Sequence, residues 1–242
     1  MDLKDLGIIA GDPMRHWYYS SKAAAMKQYV SGAPVRRILD VGAGSGIFSQ
    51  YLLANSNAET ATCVDIGYEA DTEETCAGKP IRYVRGCTES DADLVLLMDV
   101  LEHVDDDVGL LADYVGKVAP GTRFLITVPA FEFLWSRHDD FLEHRRRYRL
   151  GGVLKVAEAA GLKVDRATYY FAFIFPMVAA VRLFERLTSK GDELATGSDL
   201  TNHSAVVNGA LETLCAIERP LLGINRLAGL SVFCLATKPA PA

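Results

Sequence analysis

Apolar residues follow two different spacings along this chain. Short, nearly continuous apolar runs, of which residues 94–98 are the clearest, predict strands that are covered on both faces. These runs place strands at residues 35–41, 61–66, 81–85, 93–100, 123–128, 164–173 and 230–237. Apolar positions at helical spacing predict helices at residues 45–54, 105–118 and 150–160.

The alternation of strands and helices predicts an α/β fold with a doubly wound sheet, in which ligands bind at the carboxyl ends of the strands. Residues 35–174 and 230–242 make up this domain. Residues 1–34 form an N-terminal helical extension or lid, and residues 175–229 form an insertion of two helices joined by the polar stretch 189–202. Apolar residues keep helical spacing in the second helix at Val207, Ala210, Leu211, Leu214 and Ile217.

Composition narrows the class of protein. The net charge of −6 shows no basic surplus, so we predict no nucleic-acid partner. Five cysteines without metal-ligand spacing indicate free thiols, and the first residues do not form a signal peptide, which together predict a cytoplasmic protein. The uncharged stretch between Arg166 and Arg182 is shorter than the roughly 20 residues that span a bilayer. Peripheral membrane contact through residues 167–186 stays open as an alternative.

The first predicted strand runs into a glycine-rich loop, Asp40-Val41-Gly42-Ala43-Gly44-Ser45-Gly46. Glycines there let a ligand approach the bare backbone at the start of the following helix. A dinucleotide-binding loop has the spacing G-x-G-x-x-G, which would require a glycine where this chain has Ile47. The loop therefore favours a different adenosine-bearing cofactor over NAD.

Two further strand ends carry acidic residues. Asp65 ends the second predicted strand, about 20 residues beyond the glycines, where a carboxylate can accept hydrogen bonds from ribose hydroxyls. The segment Asp99-Val100-Leu101-Glu102-His103-Val104 follows the fourth predicted strand. Both acids are expected at the same edge of the sheet as the glycine loop.

Together these motifs resemble the class I S-adenosylmethionine-dependent methyltransferases, in their ubiquinone-methyltransferase-like branch. The resemblance covers residues 35–170 and the final strand. It implies a seven-stranded Rossmann-like sheet with an antiparallel last strand, S-adenosyl-L-methionine as cofactor and S-adenosyl-L-homocysteine as product. The cofactor-binding positions that it implies are Asp40, Gly42, Ala43, Gly44, Asp65, Ile66, Thr88, Asp99 and Val100.

The resemblance extends to the aromatic segment at residues 16–19, which arginines follow in a bacterial subset of the family. Here the residues after the aromatics are Ser20, Ser21 and Lys22, so either Lys22 contacts a carboxylate in place of an arginine or this contact is lost. The spacing of Asp99, Glu102 and His103 is similar to one that is associated with a divalent metal in some ubiquinone-type O-methyltransferases, but we predict no metal site.

A general base is needed when the acceptor must lose a proton, and histidine is the natural candidate near neutral pH. His103 follows the fourth strand, and His138 stands beside Asp139, which could orient it. The arginines at 137 and 145–147 either clamp an anionic acceptor or pair with the acids of the same loop.

The sequence thus predicts methyl transfer from S-adenosylmethionine to a small, hydrophobic or amphipathic, even lipid-like acceptor, more readily at oxygen than at nitrogen or carbon. Residues 175–229 are predicted to cover the acceptor site, since they are apolar; a homodimer interface there is the alternative. Two other functions stay open: a ubiquinone-like O-methyltransferase, and a cofactor-binding protein without transfer activity.

Overall fold

A computed structural model describes residues 11–188 and 203–241 of the chain. Its helices are α1 (Trp17–Val30), α2 (Ile47–Asn55), α3 (Asp107–Gly116), α4 (Arg137–Phe141), α5 (Leu150–Ala159), α6 (Phe175–Thr188) and α7 (Ala205–Glu218). Its strands are β1 (Arg37–Val41), β2 (Thr60–Val64), β3 (Thr72–Cys76), β4 (Lys79–Val84), β5 (Leu94–Met98), β6 (Arg123–Pro129), β7 (Lys163–Tyr170) and β8 (Ser231–Thr237). Short 3-10 turns occur at Pro13–Arg15, Leu101–His103, Glu132–Leu134 and Arg219–Leu221.

The strands form one sheet in the order β3-β4-β2-β1-β5-β6-β8-β7. The five strands β4, β2, β1, β5 and β6 are parallel, and β8 runs antiparallel between β6 and β7. The chain turns from one side of the sheet to the other between β1 and β5, which creates a crevice at their carboxyl ends. The predicted α/β fold with an antiparallel last strand is confirmed.

The sheet has one strand more than the seven predicted. β3 is almost entirely exposed, so it lacks the apolar run that identified the other strands. It pairs with β4 through a two-residue turn at Ala77 and Gly78, both at positive φ (52° and 75°). Such turns match the twist of the two strands of a hairpin, and Gly78 was the one feature of the sequence that could have indicated this hairpin.

The core lies on both faces of the sheet, as the continuous apolar run of β5 requires. Leu94, Leu96 and Met98 pack in one cluster with side chains of α1 and α2. Val95 and Leu97 pack in the other, with side chains of α3 and α5. Because alternate side chains of a strand point to opposite faces, helices must cover both faces to bury this strand.

Helix α7 packs on α1 through its polar residues. The side chain of Asn208 accepts a hydrogen bond from the backbone N–H of Trp17 (2.8 Å) and donates one to the Arg15 carbonyl (3.0 Å). Glu212 accepts a hydrogen bond from the Ser20 hydroxyl (2.9 Å). The predicted apolar stripe of α7 is divided: Leu211 packs against the core cluster that includes α1, whereas Leu214 and Ile217 are exposed. The first turn of a helix has unpaired N–H groups, and Asn208 pairs with one of them.

The remaining sequence-based assignments of this region are corrected in part. Residues 167–170 form the buried end of β7 and cannot contact a membrane surface, whereas α6 is largely exposed. The polar stretch 189–202 lies outside the described residues. Within the described ranges, no helix combines the length and the apolar character that crossing a bilayer requires.

Candidate functional site

The loop between β1 and α2 has a backbone that only glycine adopts readily. Gly42, Gly44 and Gly46 have φ angles of +61°, +53° and +69°. A Cβ on Gly42 would lie 2.8 Å from a methyl group of Val100, so the loop also approaches the end of β5 too closely for a side chain. These glycines leave the backbone open toward the crevice between β1 and β5.

The loop is tied to the end of β2. The carboxylate of Asp65 accepts hydrogen bonds from the backbone N–H of Gly44 (2.9 Å) and of Gly67 (2.8 Å). The hydroxyl of Tyr68 donates to the Gly44 carbonyl (2.6 Å). Tyr68 is not predictable from the sequence, because no motif distinguishes it from a core tyrosine. Asp65 therefore helps to fix the backbone of the loop.

A cavity of about 350 Å³ lies between this loop and the end of β5. Its size is in the range of small-molecule sites, and it combines acidic groups with apolar walls. The structure brings seven of the predicted site residues into its lining, namely Gly42, Gly44, Asp65, Ile66, Asp99, Val100 and His103. Val64, Leu110 and Tyr114 add apolar surface, and the side chain of Ile66 is 86% exposed above it.

Three predicted cofactor residues lie outside the cavity lining. Asp40 is buried beneath the loop and accepts a hydrogen bond from the Ser49 hydroxyl (2.8 Å). Burial raises the pKa of Asp40 to about 6. Ala43 is buried, and its N–H donates to the Val64 carbonyl (3.2 Å). Thr88 is exposed beyond β4. Asp40 and Ala43 therefore support the loop, and the structure does not bring Thr88 to the cavity.

An ion pair between a buried ammonium and a partly buried carboxylate connects α1 to the cavity. The ammonium of Lys22, fully buried, donates to the carboxylate of Asp99 and to the hydroxyl of Tyr18 (3.1 Å). Asp99 also accepts from the Thr127 hydroxyl (3.1 Å) and has a φ of +58°, a strained conformation for this residue. Burial alone would raise the pKa of Asp99, but the Lys22 ammonium holds it below its usual range. The carboxylate predicted as a contact of Lys22 is therefore that of Asp99, a residue of the protein itself.

His103 has two ionisable neighbours at the edge of the cavity. The ring of His144 lies edge-on to that of His103, with centroids 4.7 Å apart. The carboxylate of Glu102 is fully buried, and neither of its oxygens has a hydrogen-bond partner among the described residues. Burial and the nearby Asp99 raise the pKa of Glu102 well above its usual range. One ligand atom from each of Glu102, His103 and His144 lies within 4.8 Å of the others, so these residues could hold a metal ion.

Asp139 orients His144 and not the adjacent His138, contrary to the predicted pairing. Its carboxylate accepts from His144 Nδ1 (2.8 Å) and from Arg147 Nε (2.7 Å) and Nη2 (2.8 Å). Although burial alone would raise it, these hydrogen bonds hold the pKa of Asp139 well below its usual range. Arg146 likewise pairs with Asp107 (3.3 Å). Arg147 thus pairs with an acid of its own loop, as the ion-pair alternative expected, whereas the partner of Arg146 lies on α3 outside the loop.

Comparisons with known proteins identify the family. A family model described as a methyltransferase domain matches residues 14–167. No curated protein sequence matches the chain. A methyltransferase that depends on S-adenosylmethionine, from Archaeoglobus fulgidus, is similar in structure, with a TM-score of 0.52, 18% identity, and coverage of 90% of this chain and 94% of that one.

Two other solved structures share the fold. A chain from the complex between the Haloferax volcanii Trm112 methyltransferase activator and a candidate methyltransferase has a TM-score of 0.56 and 17% identity, with coverage of 94% and 91%. Phosphoethanolamine N-methyltransferase 2 of Haemonchus contortus, solved with S-adenosyl-L-methionine, has a TM-score of 0.51 and 15% identity, with coverage of 92% of this chain and 53% of that one.

The family match includes the glycine loop, Asp65 and the end of β5, which are the elements that form the cavity. The residues that line the cavity suit S-adenosylmethionine, because they combine exposed backbone, a carboxylate and an apolar wall. The chain therefore belongs to the class I S-adenosylmethionine-dependent methyltransferases, and S-adenosylmethionine is its cofactor.

Proposed function

We propose that this enzyme methylates an oxygen of a small, hydrophobic or amphipathic acceptor. The observation that carries the proposal is the position of His103. This histidine lines the same cavity as the glycine loop and Asp65, and it lies in the 3-10 turn that follows β5. A group that can take a proton there suits an acceptor hydroxyl.

The cofactor supplies an activated methyl group on a sulfonium, so the chain must mainly position the two reactants and exclude water. We assign Asp65 to the ribose hydroxyls and Ile66 to the adenine. The exposed apolar side chain of Ile66 supports this assignment, as does the carboxylate of Asp65 at the cavity wall. The backbones of Gly42 and Gly44 would border the methionine part, across from Asp99 and Val100 in the cavity lining.

An aromatic cluster supports an apolar acceptor. Phe131 stacks on Tyr169 with centroids 5.0 Å apart, and Phe175 of α6 lies 5.5 Å from Phe131. The loop that carries Phe131 is joined to the 3-10 turn of His103, because the Tyr148 hydroxyl donates to the Leu101 carbonyl (3.1 Å) while Tyr148 O accepts from Phe131 N (2.8 Å). We propose that this cluster, with α6 of the 175–229 insertion, covers the acceptor.

Replacing His103 by asparagine is expected to lower kcat about 10²- to 10⁴-fold and to leave the affinity for S-adenosylhomocysteine nearly unchanged, since only proton transfer is lost. The assay measures transfer of labelled methyl to long-chain phenols and hydroxy fatty acids, with the product identified by mass spectrometry. His138→Asn is the matched control, because His138 does not line the cavity. If His138→Asn loses activity and His103→Asn keeps it, the general base is His138 and not His103. If the enzyme methylates only amines, the proposed transfer to oxygen is wrong.

A second candidate is metal-assisted O-methylation of the ubiquinone-like type, which the grouping of Glu102, His103 and His144 favours. A bound divalent cation there would lower the pKa of an acceptor hydroxyl. In that case EDTA should abolish turnover, Mg²⁺ or Zn²⁺ should restore it, and His144→Ala should lose the bound metal. If EDTA leaves turnover unchanged in the same assay, the metal-assisted reaction is rejected and the metal-free reaction stands.

A further inference from the structure

The large apolar side chains that this protein exposes are concentrated in one stretch of the chain. Among the described residues, 13 of the 15 exposed large apolar side chains lie between Phe173 and Leu227, so the remaining surface carries only Ile66 and Phe133. An exposed apolar region of this extent, rather than scattered single residues, marks an interaction surface.

Helix α6 turns its apolar side away from the protein. The outward face consists of Phe173, which precedes the helix, and Met177, Val181, Leu183, Phe184 and Leu187. At 100° per residue these positions cover about 160° of the helix circumference without a charged residue. The charged residues Arg182, Glu185 and Arg186 lie outside this arc. A helix with a broad apolar face opposite a charged one is typical of helices that lie in a membrane interface.

A second exposed apolar element lies beside the end of β7. The tip at residues 221–227 presents Ile224, which is 72% exposed, and Leu227, which is 90% exposed. The side chain of Asn225 holds this tip in place: it donates to the carbonyls of Tyr169 (3.2 Å) and Ala228 (2.9 Å) and accepts from the N–H of Leu227 (3.1 Å). The exposure of these two side chains is thus built into the loop.

The charges near these elements favour anionic lipid over a second copy of the chain. Arg186, Arg219 and Arg226 accompany the apolar residues, and Arg182 pairs with Glu185 (2.8 Å). Glu218 is buried and accepts from the N–H of Ala172 (2.8 Å). Helix α6 and the 221–227 tip themselves hold three arginines, Arg182, Arg186 and Arg226, and one acid, Glu185, so these two elements carry net positive charge in a chain of net charge −6. Basic residues beside an apolar face are attracted to anionic headgroups.

We propose that the outward face of α6 and the 221–227 tip dock on the surface of a lipid bilayer that contains anionic headgroups. Phe175, in the first turn of α6, belongs to the aromatic cluster, so the docked helix would bring that cluster to the bilayer surface. The docking itself does not depend on the proposed function. Only its consequence rests on that function, namely that an acceptor dissolved in the bilayer reaches the site from the membrane side. Vesicle binding is measured without methyl transfer, so its failure would leave the proposed function standing.

The test is co-sedimentation of the full chain with phosphatidylcholine vesicles, with and without phosphatidylglycerol. We expect binding that increases with the anionic lipid and decreases with salt. For the variant Leu183→Gln/Phe184→Gln/Leu187→Gln, the fraction of protein bound to vesicles should fall about tenfold or more. Leu227→Gln should lose a smaller part and serves as a second, less disruptive variant.

The control is Glu73→Gln/Glu74→Gln on β3, at the opposite edge of the sheet, which should bind vesicles as the unchanged chain does. Unchanged affinity for S-adenosylhomocysteine shows that each variant is folded. The proposal is overturned if no vesicle binds the unchanged chain, or if the α6 and tip variants bind as well as the control. It is equally overturned if light scattering shows a dimer that the α6 variant dissociates and vesicles do not bind, because the surface then belongs to a second copy.

Discussion

Replacing Lys22 by methionine is expected to lower the free energy of unfolding by about 3 kcal/mol, the lower end of the range for breaking a buried ion pair, because it leaves the partly buried Asp99 carboxylate without its counter-charge. The side chain of Lys22 is fully buried, and methionine fills a similar volume. The loss should be measured by urea unfolding at neutral pH. Binding of S-adenosylhomocysteine should weaken as well, since the strained backbone of Asp99 borders the cavity.

The pH dependence of this effect has a definite sign. Lys22 lowers the folded-state pKa of Asp99, so the ion pair stabilises the protein above the unfolded pKa of about 4 and ceases to do so as the pH falls below it. The difference between the two proteins should therefore shrink in acid. Lys27→Met is the matched control on the exposed side of α1, and Lys22→Met/Asp99→Asn should regain part of the lost stability. Equal unfolding of the Lys22→Met and Lys27→Met proteins would show that the ion pair contributes nothing.

Replacing Asp65 by alanine is expected to weaken S-adenosylhomocysteine binding about 10- to 100-fold, which corresponds to about 1.4–2.8 kcal/mol. Two effects add. The variant loses the acceptor that we assign to the ribose hydroxyls, and it loses the hydrogen bond that holds Gly44 in the loop. Hydrogen bonds to a charged group contribute about 1.5–3 kcal/mol each. Isothermal titration calorimetry gives the dissociation constant directly.

The comparison with Asp71→Ala separates the ribose site from a general loss of negative charge. Asp71 is exposed and accepts a hydrogen bond from the Arg85 N–H (3.1 Å), but it does not line the cavity. Asp65→Asn keeps one oxygen and should lie between the two variants. An Asp65→Ala protein that binds the ligand as tightly as Asp71→Ala would remove Asp65 from the cofactor site.

Much of the cofactor side was predictable because it depends on short-range patterns. The glycine spacing before Ile47 and the position of Asp65 placed both groups at one sheet edge, and the structure brings them into one cavity. The structure does not bring Thr88 into this cavity. The chain before Thr88 forms the hairpin of β3 and β4, and Thr88 is exposed beyond it. The hairpin itself was missed because its first strand buries almost nothing.

The acceptor side was less predictable because its contacts are long-range. Asp139 and His138 are neighbours in the chain, yet the turn of α4 directs the carboxylate to His144 and Arg147. Helical spacing marked an apolar stripe on α7, but spacing cannot say which face packs. The packed face combines Asn208, which pairs with the backbone at the start of α1, with Leu211, and it leaves Leu214 and Ile217 exposed.

The amino-acid sequence by itself determined seven of the eight strands, the helices that cover the sheet and the motifs whose resemblance to a known family implies the cofactor. Each of these follows from residues within one strand, one turn or one βα unit, where backbone geometry sets the spacing of side chains. Only the tertiary structure decided that Lys22 meets Asp99, that His144 stands beside His103 and Glu102, and that α6 turns its apolar face outward. These arrangements join residues from distant parts of the chain, and their energies depend on burial and on partners that no local pattern specifies.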